Sequence, residues 1–236
     1  MCTVTFVPVK EGFFLSTNRD EIISRARVEW PVEEERENFK LLYPRDQAGS
    51  GTWVIADSRN NAACLLNGAF LPHTRREKYR HSRGLILRGI FSFPSMQDFA
   101  DQYNLDDIEP FTLIVVWDKH LFEFRWDGGT KHLYSLEWKN PKIWSSVTLY
   151  SPDMVKLREA WFNQWMGESG MREINTAGIL SFHKSADNGD PGVAIRMKRE
   201  NIQTISITSI FASGNGLEMH YIDLVNLIEG SSGFKS

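Results

Sequence analysis

Cysteine is scarce, with only Cys2 and Cys64 in 236 residues. Two thiols cannot make a disulfide framework or a four-ligand metal site. The six histidines offer no metal centre either, since no two stand at i, i+4 and none has a cysteine close by. Long apolar runs are missing too. The most apolar stretch, Phe111 to Trp117, is far shorter than the ~20 residues of a membrane helix, so no membrane span is expected. Neither sign of charge dominates: 27 Lys+Arg stand against 30 Asp+Glu, a net charge of -3. With no basic block beyond Arg75-Arg76-Glu77-Lys78, nucleic acid and anionic membranes are not expected partners. Met1-Cys2-Thr3-Val4 lacks a basic n-region and a small-residue cleavage site, which makes the cytoplasm the expected location.

What is present describes a globular chain, 42% hydrophobic and 24% charged. A chain of this length buries roughly 70% of its surface, and no repeat or linker divides it, so one domain over 1–236 is expected. Six of the eight tryptophans fall between Trp117 and Trp165. They fit either an aromatic core or the wall of a pocket for a flat or greasy ligand.

Thr3 to Val9 and Phe13 to Asn18 are β-branched and aromatic runs around Lys10-Glu11-Gly12, the pattern of a hairpin. Thr52 to Ala56 and Ala62 to Leu66 repeat it around Asp57-Ser58-Arg59-Asn60-Asn61. Between them, residues 24–50 read as an ordered excursion with Glu33-Glu34-Glu35-Arg36-Glu37 as a solvated run. Ser82 and Ser95 are positioned to cap short helices. Phe111 to Trp117, Leu121 to Trp126, Lys131 to Leu136 and Ile143 to Leu149 read as an antiparallel meander. Ser151-Pro152 opens a helix with Met154, Leu157, Ala160, Trp161 and Trp165 on one stripe, and Arg172 to Phe182 reads as another. Ile202 to Phe211 and Leu217 to Ile222 are the last strands. Runs of strands and runs of helices predict an α+β fold with helices on the outer faces of antiparallel sheets.

Three features could carry chemistry. If the initiator methionine is removed, Cys2 becomes an N-terminal residue beside its own α-amine. An amine near ~7.7 can take the proton of a thiol near ~8.5, so no histidine base is needed. The alternative is a buried cysteine on an apolar strand. Second, Thr17-Asn18-Arg19-Asp20-Glu21 ends a strand, and alternation sends Asn18 and Asp20 to one face and Arg19 to the other. An Asp there could anchor the α-ammonium or orient the thiol; the alternative is a capped turn with Arg19 and Glu21 as a surface pair. Third, Asn67 ends Ala63-Cys64-Leu65-Leu66, where its amide could stabilise an oxyanion, although Asn-Gly is also a common turn dipeptide.

Together, Met1-Cys2-Thr3, Asn18-Arg19-Asp20-Glu21, Gly51-Thr52-Trp53-Val54 and Ser82-Arg83-Gly84 resemble, in order and spacing, the NRDE family, also called the transport and Golgi organisation protein 2 family. The resemblance spans most of the chain and is densest over residues 1 to 90. It implies the fold of N-terminal nucleophile hydrolases, a four-layer αββα sandwich of two antiparallel sheets flanked by helices. The nearest pattern is that of choloylglycine hydrolases and penicillin V acylases. Carried over, Cys2 resembles the nucleophile, Asp20 the carboxylate that orients it and Asn67 the oxyanion-hole asparagine. This chain departs from the pattern in three places: Thr17 stands where the acylases carry arginine, serines at Ser145-Ser146 replace a later asparagine, and Ile205 stands near a late arginine.

Two functions of different class follow. One is a cysteine amidohydrolase or acyltransferase acting on a small-molecule amide or thioester, with no cofactor required. The other is a non-catalytic protein that binds or traffics haem or a hydrophobic ligand such as a lipid on the same fold, with Cys2 or a histidine as a contact to iron.

Overall fold

The computed structural model describes residues 3–25, 28–47, 49–169, 174–186 and 189–235. In chain order its elements are β1 (Thr3–Val9), β2 (Gly12–Ile22), β3 (Val28–Glu35), β4 (Lys40–Asp46), β5 (Val54–Asp57), β6 (Ala62–Asn67), α1 (Gly84–Ile90), α2 (Met96–Gln102), β7 (Phe111–Trp117), β8 (His120–Trp126), β9 (Lys131–Leu136), β10 (Lys142–Ser145), α3 (Pro152–Ser169), α4 (Thr176–Lys184), β11 (Ile202–Ser213), β12 (Gly216–Asp223) and β13 (Ile228–Lys235). The chain forms two compact units, one from 1–26 with 139–236 and one from 27–138. Each holds one antiparallel sheet with its own helices. Among the described residues no helix is long and apolar enough to cross a membrane.

In the first unit the strand order is β10-β1-β2-β11-β12-β13. The β1–β2 hairpin closes at Lys10-Glu11 with Val9 opposite Gly12. Pro8, which has no N–H for a ladder, lies beyond Phe6, the last residue of β1 paired with β10. Val7 and Phe14 face α3 and α4 in a core with Ile143, Phe162, Ile179 and Phe182. The buried stripe of α3 is Arg158, Phe162 and Met166, at i, i+4 and i+8. This corrects the stripe expected from sequence: Leu157 is 44% exposed and Trp161 and Trp165 are half-buried. A charged residue at 158 disguised the true period. Asn175 caps α4 by accepting from the Gly178 N–H. Part of the expected helix from Arg172 lies outside the described residues. The strand expected over 143–149 stops at Ser145, because Leu149 and Tyr150 turn back to bond the Ser146 carbonyl.

In the second unit the strands run β3 to β9 in sequence order, a meander. The excursion expected over 24–50 is the hairpin β3–β4, and its acidic run lies partly on the edge strand. There Glu34 accepts from the Tyr43 hydroxyl and pairs with Arg36 and Arg88, at 2.6 and 3.0 Å. Charge on an edge strand blunts pairing with other chains, so the run is compatible with a strand. Leu41, Ile55, Leu65, Leu113 and Phe124 meet Ile86, Leu87, Ile90 and Phe99 of α1 and α2. Ser95 caps α2 by accepting from the Asp98 N–H, whereas Ser82 stands one residue ahead of the N-cap Arg83 and accepts a longer bond, 3.4 Å, from the Gly84 N–H. The entry to α1 is fixed differently. A Cβ on Gly51 would lie 2.5 Å from the Gly84 carbonyl carbon, and the Thr52 N–H donates to Gly84 O. Only glycine lets these two backbones touch, which accounts for Gly51-Thr52 and Arg83-Gly84 in one motif set. Trp53, Trp117 and Trp126 are buried in this unit and Trp144 in the other, so half of the tryptophans are core.

Candidate active site

The polar end of β2 sorts its residues as strand alternation requires. Thr3 is opposite Asn18 in the β1–β2 register, and Thr204 of β11 is opposite Asp20. Between Thr204 and Ser206 the register slips, leaving Ile205 as the extra residue of a bulge. The bulge lets Thr204 share the face of Asp20 while Ser206 is opposite Arg19 on the other face. All of these side chains are buried.

Asp20 is held by two neutral donors. Thr204 Oγ1 donates to Oδ1 across 2.6 Å, and the Tyr150 hydroxyl donates to Oδ2 across 3.0 Å. The Tyr150 ring has the Arg158 guanidinium 4.2 Å from its centroid and that of Arg199 at 5.4 Å. Arg158 donates through Nε to Ser145 Oγ at 3.0 Å, through Nη1 to the carbonyls of Val193 and Ala194, and through Nη2 to Thr3 Oγ1. One guanidinium thereby joins β10, β1, α3 and the turn before β11.

Asn18 serves a second buried network on the same face. Its Nδ2 donates to the carbonyls of His183 and Ile195, at 3.1 and 2.8 Å, which leaves Oδ1 to accept from His183 Nδ1 at 2.6 Å. His183 therefore carries its proton on Nδ1, and Nε2 accepts from Thr5 Oγ1 at 2.7 Å. Burial, with a smaller contribution from the Arg158 charge, pushes the imidazole down to about 3, so it is neutral.

The opposite face carries Arg19 with Ser206, Thr208, Tyr221 and Asp223, matched by register and all buried. Burial, with a smaller contribution from the Asp223 charge and against that of Arg19, pushes the Tyr221 phenol up to about 12, so it is neutral. Asn67 is the half-buried last residue of β6 in the second unit, opposite Phe111. Gly68 follows at φ +80°, with its N–H on Pro110 O, so this Asn-Gly is a strand end and not a hairpin turn. Cys2 lies outside the described residues. The structure thus groups Asn18 with Asp20, sets Arg19 on the other face, and carries Asn67 in the second unit. Sequence reasoning missed Tyr150, Arg158, His183 and Thr204. The i, i+4, i+8 spacing of Arg158, Phe162 and Met166 was the one signal available, and it bears on Arg158 alone. Cys64 is fully buried, and burial raises its thiol well above the usual range. Among the described residues no cluster of three or more His, Cys, Asp or Glu is arranged to hold a metal.

A family model described as Transport and Golgi organisation 2 matches residues 1–185. No curated protein sequence matches the chain. Among solved structures, an N-acylethanolamine-hydrolyzing acid amidase ortholog from Caenorhabditis elegans is similar at a TM-score of 0.62 and 11% identity, covering 89% of this chain and 92% of that one. A variant of the conjugated bile acid hydrolase from Clostridium perfringens is similar at 0.59 and 9%, covering 100% and 97%. A second variant of that enzyme gives 0.58, also at 9% identity and with the same coverage. At such identities the likeness shows the fold. It is the α+β fold of N-terminal nucleophile hydrolases, built on two antiparallel sheets with helices.

Proposed function

The chain belongs to the Transport and Golgi organisation 2 family, and from that premise we propose that it is a cysteine N-terminal nucleophile hydrolase or acyltransferase acting on a small-molecule amide or thioester. The observation that carries this reading is the position of Asp20. Its carboxylate is fixed by Thr204 and Tyr150 on the strand that pairs with β1, and β1 starts one residue after Cys2.

In this reading, removal of Met1 frees the α-amine, which takes the Cys2 thiol proton. The thiolate adds to the carbonyl carbon, and the new oxyanion accepts a bond from a backbone N–H. The C–N or C–S bond then breaks, with the leaving group receiving the proton, and water or an acceptor nucleophile releases the acyl group from sulfur. Asp20 anchors the ammonium. Asn18, with every amide valence used inside the protein, supports the strand, and Arg19 offers a charge on the opposite face.

The haem alternative gains nothing from the described histidine in the core. Both ring nitrogens of His183 are bonded within the protein, so this residue does not fit an iron ligand. The test is acyl transfer from a panel of N-acyl amides and acyl thioesters, read by intact mass as an acyl adduct on Cys2. Wild type should form the adduct and Cys2→Ala should not. Turnover that survives Cys2→Ala, or a panel without turnover or adduct from protein lacking Met1, would overturn it.

A further inference from the structure

Arg158 is 0% exposed, and among the described residues no carboxylate pairs with it; its partners are two backbone carbonyls, two hydroxyls and an aromatic face. Arg199, on the same ring, likewise bonds the carbonyls of Gly192 and Leu149 and the sulfur of Met154. A buried cation without a counter-ion is costly, and here carbonyls and hydroxyls meet the Arg158 donors without neutralising its charge. Here the field has one short path to a described anion. Both guanidiniums lie over the Tyr150 ring, and the Tyr150 hydroxyl ends on Asp20 Oδ2. Electron density drawn toward the cations makes the phenol O–H a stronger donor.

We propose that Tyr150 is a positioning residue for Asp20: its hydroxyl, polarised by Arg158 and Arg199 on its ring, fixes the Asp20 carboxylate at the end of β2. This rests on the reading of Cys2 as the nucleophile. The titratable and charged groups of this region are Asp20 on β2, Tyr150 ahead of α3, Arg158 on α3, His183 on α4 and Arg199 ahead of β11. His183 is neutral, so among these groups the two arginines are the cations on the Tyr150 side of Asp20. Thr204 supplies a further donor, and its oxygen accepts from the Met197 N–H.

The experiment is a double-mutant cycle on the full-length protein, with Cys2 alkylation by iodoacetamide followed against pH and assigned by mass spectrometry. Buried Cys64 is the internal control. Tyr150→Phe keeps the ring and both cation contacts and removes only the hydroxyl. More of the Asp20 charge is then left unneutralised, and an anion disfavours a nearby thiolate. The alkylation midpoint should rise by roughly half a pH unit, the scale of one hydrogen bond. In the Asp20→Asn background the same substitution should leave the midpoint in place. An unchanged midpoint in the wild-type background, or an equal rise in both, overturns the proposal. So does a lowered thermal midpoint with no change in the titration, which is what a merely structural Tyr150 gives. The two failures are distinguishable: a wild type that forms no acyl adduct while the cycle behaves as stated loses the hydrolase reading and keeps only the coupling of Tyr150 to the Cys2 thiol through Asp20.

Discussion

The Thr5 hydroxyl donates to Nε2 of His183 across 2.7 Å, joining the first strand to the end of α4 over a separation of 178 residues. The bond forms only with a neutral imidazole in one tautomer, and Asn18 imposes that tautomer from the other side. The two strands of the first hairpin, β1 and β2, and the distant helix α4 are fastened by one ring.

That arrangement predicts a pH dependence. In the folded protein His183 sits at about 3, against an ordinary value of 6.5. Above 6.5 both folded and unfolded forms are neutral and the residue contributes no slope. As pH falls from 6.5 toward 3, the unfolded chain takes up a proton that the folded chain refuses. Stability should then fall by about 1.4 kcal/mol per pH unit from this residue. Urea unfolding of wild type and His183→Gln at several pH values isolates the effect, because every other titratable group is common to both. A difference between the two proteins that stays constant from pH 7 to pH 4 would refute it.

A second prediction concerns Gly51, whose Cβ would strike the Gly84 backbone at 2.5 Å. Backbone cannot swing aside as a flexible side chain does. Gly51→Ala should cost about 1 to 3 kcal/mol, the usual range for overpacking. Loss of the Thr52 N–H to Gly84 O bond should follow, seen as faster amide exchange at Thr52. An alanine variant as stable as wild type would show that this contact is loose.

These cases show what the sequence discloses. Period-two patterning made β1, β2 and β7 to β9 legible, because those strands bury apolar residues flanked by turn formers. The Asn18/Asp20 face followed from alternation alone. Arg158 was not legible, since a charged residue in an apolar stripe reads as solvent-facing unless its partners are known, and those come from β1, β10 and the 193–194 turn. The bulge at Ile205 was hidden for a similar reason: nothing local announces which residue a strand will leave unpaired. Strand β3 was obscured by its acidic run, whose charges are met by Tyr43 and Arg88 from other elements.

The last prediction asks why the residue at 18 is an amide. Asn18→Asp keeps the shape but removes both donors to the His183 and Ile195 carbonyls and aims an anion at them. Two carbonyls stripped of donors in the core cost roughly 2 to 6 kcal/mol. The new carboxylate would also face Nδ1 of His183, and an adjacent anion favours the imidazolium. A buried ion pair seldom repays its desolvation, so the variant stays less stable than wild type at every pH. Its pH dependence should nevertheless reverse. With the folded pKa of His183 raised above 6.5, the pairing contributes fully below 6.5 and is lost as pH rises through the folded value. Asn18→Asp should therefore cost more at pH 8 than at pH 5, whereas the wild-type contribution of His183 runs the other way. Urea midpoints of both proteins at these two pH values decide the matter, and a penalty larger at pH 5 would mean that His183 never takes the proton.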